Sequence, residues 1–434
     1  MPAQALLDTP IAAASTPAQA FLRRTLAVDL HAHSHHSAHV SKQMTWDNIL
    51  PAACTKGIDL MSTGDCLHPE WLTQIELNFI ENGSGLLIPH PDFSRACLSR
   101  IPERLHRTLH FVLGTEVSCV PPGTSHEHGI HHLLFFRSIS SARRFAGRVA
   151  KYGNLQKGRP TLRLTSRQLL EIVLLHGEGV ELAPAHLFSP HHSALGSVSG
   201  KDALYYLFGD LTSQLLAVEM GLPATPAMCR SVSSLDSHGL FACSDAHSLE
   251  NIGREYTLLD IPLTYPALMN TLREPTADRA RGFVKLPPEH VSVYWCGCAT
   301  CSTSYPGTSQ RECPKCGVPL TPGVRARTAA LATRAEPAEP LTATPTHQLL
   351  PLSDLLAGLA GTRRDTEAIR QQHAHLIDRI GSERHILTEA SPEQIARHHN
   401  PALARLIVQQ RATPLRFPLS REIVQHGDQL ALDL

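Results

Sequence analysis

Two histidines one residue apart, His31 and His33, close an apolar run that holds Leu26, Ala27, Val28 and Leu30. Side chains at positions i and i+2 of a strand share a face, so a strand ending here aims both imidazoles at one point. Neutral imidazoles paired in this way are ligands for a divalent transition metal. In a chain with 27 histidines, a surface pair would look the same. The two readings separate on whether the design recurs.

It does. The stretch 57–65 is a short apolar run ending in Asp65, with His68 just beyond. Residues 109–113 lead to Glu116, and His131-His132 opens the run to Phe136. Residues 179–183 lead to His186, 214–218 to Glu219, and 239–243 to Asp245 and His247. A mixed set of imidazoles and carboxylates suits two or three divalent ions of the Zn, Mn, Mg or Fe type. The carboxylates offset charge that an all-histidine site would accumulate. Clustered metals activate a water, orient a phosphate and stabilise the leaving oxygen, which is the chemistry of phosphoester hydrolysis. No Gly-x-Ser-x-Gly, Gly-Lys-Ser/Thr or Gly-x-Gly-x-x-Gly motif is present, which argues against acyl hydrolases, NTPases and dehydrogenases.

Residues from so many strand ends meet at one point only if the strands are arranged radially. The expected class is therefore α/β, a distorted TIM-like barrel with its chemistry at the strand C-termini. Helical connections fit between the strands. One runs from residue 46 to a stop near Gly57, and another starts at a Thr165–Gln168 capping box. A second unit begins near residue 287. Cys298, Cys301, Cys313 and Cys316 have the spacing of a structural four-thiolate zinc site, with Cys296 left over. The expected organisation is a tail at 1–24, a metal domain at 25–286, a zinc module at 287–328, a linker at 329–348 and a helical C-terminal domain at 349–434.

Lys and Arg balance Asp and Glu at 39 each, so a nucleic-acid surface would have to be local. The densest basic stretch holds Arg143, Arg144, Lys151 and Arg159, candidates for the backbone of DNA. No apolar run approaches a membrane span, and the first residues read as a disordered tail rather than a signal peptide. The thiols read as reduced and the chain as cytoplasmic.

At these residues the chain resembles the PHP (polymerase and histidinol phosphatase) phosphoesterases, and more closely the endonuclease Q family. The matching stretches include Asp29-Leu-His-Ala-His-Ser, Thr63-Gly-Asp-x-x-His-Pro-x-Trp71 and Gly114-Thr-Glu-Val-Ser. They continue with Ile130-His-His-Leu-Leu, Gly158-Arg-Pro, Pro184-Ala-His, Gly196-Ser-x-Ser-Gly200 and Ser244-Asp-Ala-His-Ser. The resemblance implies a PHP barrel with a zinc module and a C-terminal helical domain. It implies cleavage of DNA 5′ of deaminated bases (uracil, hypoxanthine, xanthine) or abasic sites, in double or single strands. It implies His31, His33, Asp65, His68, Glu116, His131, His186, Asp245 and His247 as the metal set, with Asp245, Glu116 and His33 central to catalysis. A sliding clamp is a further candidate partner, although no clamp-binding peptide is evident. An altered base must be extruded to be read, and Trp71, Tyr152, Tyr205 and Tyr206 are candidates to stack on it. Rival readings are a PHP phosphatase for a small phosphate and a non-catalytic damage-binding protein.

Overall fold

The computed structural model describes residues 25–125, 129–177, 179–306, 311–335 and 344–413. The expected N-terminal tail and the last residues, from 414 onward, lie outside the described residues.

The frame is a sheet built on the first apolar run, β1 (Leu26–Asp29). It is followed by β2 (Leu60–Ser62), the hairpin β3 (Phe79–Glu81) and β4 (Leu87–Pro89), and the long strand β5 (His110–Cys119). Then come β6 (Ile130–Phe136), β7 (Thr161–Leu162), β8 (Val180–Pro184), β9 (Val218–Glu219), β10 (Leu240–Phe241), β11 (Tyr256–Leu259) and β12 (Ala280–Lys285). β1 pairs in parallel with β2, and β2 with β5. β6 runs antiparallel between β5 and β8. From β8 the backbone bonds Leu216 N→Leu182 O (2.9 Å) and Leu187 N→Glu219 O (3.0 Å) lead to β9, which pairs in parallel with β10. An isolated parallel bridge, Ala32–Ala246, returns the path to the end of β1. The result is a mixed α/β fold on a central sheet, with the β9–β10 pair joined to β8 and to the end of β1 by these bonds.

Two features differ from expectation. β6 is reversed, because the ten residues that separate it from β5 are too few for a crossover. β5 does not stop at residue 113 either. It pairs residue by residue with β6 from Leu113–Phe136 to Cys119–Ile130, so Glu116 stands within the strand rather than after it. On the other side of β1, β11 and β12 extend the sheet antiparallel.

Side-chain alternation divides the strands between two apolar clusters. Val28, Leu60, Val112, Leu133, Ala183 and Phe241 join one, and Ala27, Met61, Phe111, Leu134, Leu182 and Ala242 join the other, together with the helices. The helix Trp46–Lys56 ends at Gly57 in the left-handed conformation (φ 87°), and Ser166–His176 starts with the expected Thr165–Gln168 capping box.

The cysteine-rich segment forms a hairpin of β13 (Cys296–Cys298) and β14 (Thr303–Tyr305). β15 (Thr346–Gln348) pairs in parallel with β12, so the far end of the expected linker belongs to the main sheet. Helices Leu352–Ala360, Glu367–Arg379, Glu383–Thr388, Pro392–His398 and Pro401–Ala412 follow. Their buried Leu355, Ile369, Leu376, Ile386 and Leu403 share one apolar cluster with the sheet. No described helix is long and apolar enough to cross a membrane.

Candidate metal centre

β1 delivers His31 and His33 to a point that two other segments also reach. His31, His33 and Asp245 form one buried group whose ligand-type atoms all lie within 4.8 Å of one another, and Glu116, His131 and His186 form a second. The two groups touch. His31 Nε2 is 3.4 Å from Asp245 Oδ1 and 3.6 Å from Glu116 Oε1, and His33 Nε2 is 3.3 Å from Asp245 Oδ1 and 3.6 Å from Glu116 Oε2. Glu116 Oε1 is 3.0 Å from both His131 Nδ1 and His186 Nε2.

The other ring nitrogens of β1's histidines are spent on orientation. His31 Nδ1–H donates to Glu219 (3.0 Å), whose second oxygen accepts the His186 backbone N–H (2.7 Å). His33 Nδ1–H donates to Asp65 (3.3 Å). A carboxylate behind each imidazole fixes its tautomer and raises its basicity as a ligand. This leaves His31 Nε2 and His33 Nε2 buried with no hydrogen-bond partner, facing carboxylate oxygens. Orphaned buried acceptors that converge on acids fit a bound cation.

The electrostatics agree. Burial pushes His31 and His33 toward the neutral form, but the surrounding Glu219, Asp245, Asp65 and Glu116 outweigh it. His31 rises well above its ordinary range and His33 to about 9. Burial alone would raise Glu116 and Asp245, yet the adjacent imidazoles hold both well below the usual carboxylate range.

Three expected ligands stand outside the two groups. Asp65 is already bonded by His33, by Ser34 N and Oγ (2.8 and 2.6 Å) and by Ser37 Oγ (2.9 Å). His68 caps the helix Pro69–Asn78: its Nδ1 accepts from Trp71 N, and its Nε2 donates to Gln156 O (3.1 Å). His247 lies tilted against His33 (ring centroids 4.6 Å apart, 56°) and is 3.0 Å from the Asp245 carbonyl through Nδ1. Of the adjacent pair, His131 faces the centre, whereas His132 turns away to Ser166 Oγ (2.9 Å).

Sequence reasoning did not place several further residues here. Arg159, expected on a DNA-facing surface, turns inward with its side chain largely covered and Nη1 3.2 Å from Glu116 Oε2. His192 stacks on His131 (4.9 Å, 11°). A cavity of about 120 Å³ opens beside His131 and His186, lined also by His191, His192, Trp295 and the hairpin residues Cys298 and Thr303. The aromatic candidates lie elsewhere. Trp71 is fully buried, stacked on Trp46 and bonded to the Thr63 and Gly64 carbonyls, while Tyr205 and Tyr206 are exposed. Of the remaining basic candidates, Arg143 pairs with Glu76, Arg144 bonds Ser140 and Lys151 lies over the Tyr152 ring.

The four thiols Cys298, Cys301, Cys313 and Cys316 converge, and Cys296 is not among them. The Cys298–Cys316 sulfurs are 3.5 Å apart and the Cys301–Cys313 pair 3.8 Å. Tetrahedral zinc with bonds of about 2.3 Å sets an edge of roughly 3.8 Å, so the cage fits that ion.

No family model matches the chain. The uncharacterised protein YqxK of Bacillus subtilis is 28% identical over 388 residues, covering 87% of this chain and 90% of the relative. Among solved structures, the lesion-specific endonuclease PfuEndoQ of Pyrococcus furiosus superposes with TM-score 0.75 at 27% identity, covering 89% of this chain and 91% of its own. An endonuclease Q complex with a 27-mer duplex carrying an abasic lesion at its active site superposes with TM-score 0.76 at 26% identity, over 89% and 92%. Both of these similar structures are of endonuclease Q. The match covers 89% of the chain and makes it a close structural match to a lesion-specific DNA repair endonuclease.

Proposed function

We propose that the chain is a metal-dependent DNA repair endonuclease that hydrolyses the phosphodiester 5′ of a deaminated base or abasic site. The barrel is of PHP type, and the four-thiolate cage holds structural zinc. The observation that carries the reading is the pair of buried groups joined through Glu116, set beside a cavity, in a fold shared with endonuclease Q. Two divalent ions bound there would supply Lewis acidity and a nucleophile at neutral pH.

The chain's own residues do the rest. His31, His33 and Asp245 hold one position, and Glu116, His131 and His186 the other. Glu219 and Asp65 keep the β1 imidazoles oriented, so the donor set is rigid before substrate arrives. The cavity admits an extruded base or the gap where one is missing, with Trp295 and His192 as its aromatic residues. Its two walls come from the metal domain and the cysteine hairpin, so the lesion is read and the backbone cut within one space. A chain with reduced thiols and this substrate belongs in the cytoplasm. The described residues lend no support to a clamp partner.

The test uses end-labelled duplexes carrying a uracil, a hypoxanthine, an abasic site or none, with Mn²⁺, Mg²⁺ or chelator. Metal-dependent nicking just 5′ of the lesion, and none of intact duplex, is the expected result. Turnover of a small phosphomonoester without nicking would overturn it in favour of a phosphatase, and lesion binding without cleavage would leave a damage sensor.

A further inference from the structure

Arg159 sits where a guanidinium is costly. Its partner Glu116 has one oxygen on His131 and His186, and the other is 3.2 Å from Arg159 Nη1 and 3.6 Å from His33 Nε2. Arg159 therefore stands beside the positions the cations would fill, with its side chain only 9% exposed. It cannot ligate a cation, and it cannot shed its proton to relieve repulsion. It therefore sits as a fixed cation at the edge of the centre, within reach of an anionic group bound there.

The backbone holds it there deliberately. Gly158 N donates to His36 O (3.1 Å), and a side chain at Gly158 would begin 2.3 Å from Asp65 Oδ2 and Ser37 Oγ, so only glycine lets the segment this close. On the other side, Pro160 O accepts from Ser118 N (3.0 Å), and β7 continues alongside β5. Arg159 is pinned between the Asp65 loop and the strand that carries Glu116. The guanidinium fork matches two oxygens of a phosphate, and a donor fixed before reaction stabilises charge that grows on them.

We propose that Arg159 binds a non-bridging oxygen of the scissile phosphate, exchanging its contact with Glu116 for the substrate as the site fills. The proposal rests on the phosphodiesterase reading above, and the substrates below separate the two.

Arg159→Ala and Arg159→Lys would be assayed on an abasic-site duplex and on bis(p-nitrophenyl) phosphate, with metal content and melting temperature measured in parallel. Arg159→Ala should lower kcat about 10²- to 10³-fold on both substrates, with metal content and melting unchanged and lysine restoring part of the loss. A neutral methylphosphonate at the scissile position should slow the native protein while adding little to the defect of Arg159→Ala, because both remove one interaction. Cleavage by Arg159→Ala within about threefold of the native rate would overturn the proposal. So would activity lost only in proportion to metal or melting temperature, which would make Arg159 a support for Glu116. If the native protein hydrolyses the small diester but nicks no lesion duplex, the repair reading fails and the small diester alone decides the role of Arg159. If it hydrolyses neither, both fall.

Discussion

Glu219 places no ligand atom in either group, yet both of its oxygens serve the centre, one on His31 and one on the His186 backbone. Glu219→Gln keeps the shape and removes the charge that holds His31 in its ligating tautomer. Metal affinity should fall about 10- to 100-fold with the melting temperature of the metal-free protein little changed, as read by metal titration. Asp245→Ala removes the carboxylate nearest both β1 histidines. It should abolish nicking and leave lesion-duplex binding intact in a gel-shift assay, and nicking at the native rate would remove Asp245 from the mechanism. Backbone strain marks the same places: Asp65, His186 and Asp245 all adopt positive φ (46°, 31° and 48°), a conformation that non-glycine residues hold only when their surroundings enforce it. The His-x-His pair, Glu116, His131, His186 and Asp245 were legible as a converging set because each ligand-type residue lies within or just after an apolar run, although His31, His33, His186 and Asp245 stand past the ends of their strands. Asp65 and His68 lie outside the two groups and are engaged in hydrogen bonds, a difference the sequence does not show, since a ligand and a carboxylate that orients one look alike there. Arg159 was read as surface because nothing in a basic stretch tells which cation turns inward.

Strand order was less legible than strand existence. Each apolar run became a strand, but the reversal of β6 depends on connection length, and the extent of β5 depends on partners 11 to 23 residues away. The cysteine hairpin was legible as a motif, because Cys-x-x-Cys pairs carry their own geometry. Its place against the metal domain was not, since the contacts that make a shared cavity wall have no local signature. On the proposed function, that placement gives the hairpin a part in substrate reading. Cys313→Ser breaks the cage, and burial and hydrogen bonds to the Cys313 thiol set it apart: burial raises it, but Tyr305 and the backbone N–H groups of Lys315 and Cys316 bring it down to about 6. The variant should lose stability and lesion binding, with turnover of bis(p-nitrophenyl) phosphate largely retained. Loss of that turnover with unchanged lesion binding and melting would place the thiols in the chemistry instead.

At the scale of the molecule, the C-terminal helices are locked to the sheet domain by buried charge. Lys56, on the helix before β2, pairs with Glu383 (2.7 Å), which also accepts from His373 (2.8 Å), and Arg384 reaches back to Asp59 (2.9 Å). Burial raises Glu383, but Lys56 and His373 outweigh it and hold it below its ordinary range. A depressed carboxylate stabilises the fold above its unfolded pKa, about 4.3, and the contribution fades as pH falls below that value. Urea midpoints should therefore drop between pH 6 and pH 3 more in the native protein than in a Lys56→Met/Glu383→Leu double variant. Lys56→Ala alone leaves Glu383 buried beside fewer cations and should cost about 3–5 kcal/mol in urea unfolding.

The central strand is also the first one made. β1 lies between β2 and β11, and its His31 meets Asp245 from 214 residues later in the chain. At roughly 5–20 residues per second, a ribosome delivers the first ligand about 10–40 s before the residue that completes its group. Until Asp245 emerges, His31 and His33 lack the carboxylate that completes their group, although Asp65 and Glu116 are already made, and β1 lacks its second neighbour. On the proposed function, a nascent chain therefore carries no complete cutting centre near the nucleic acids that surround its own synthesis, and translation order itself keeps that activity silent until the sheet closes.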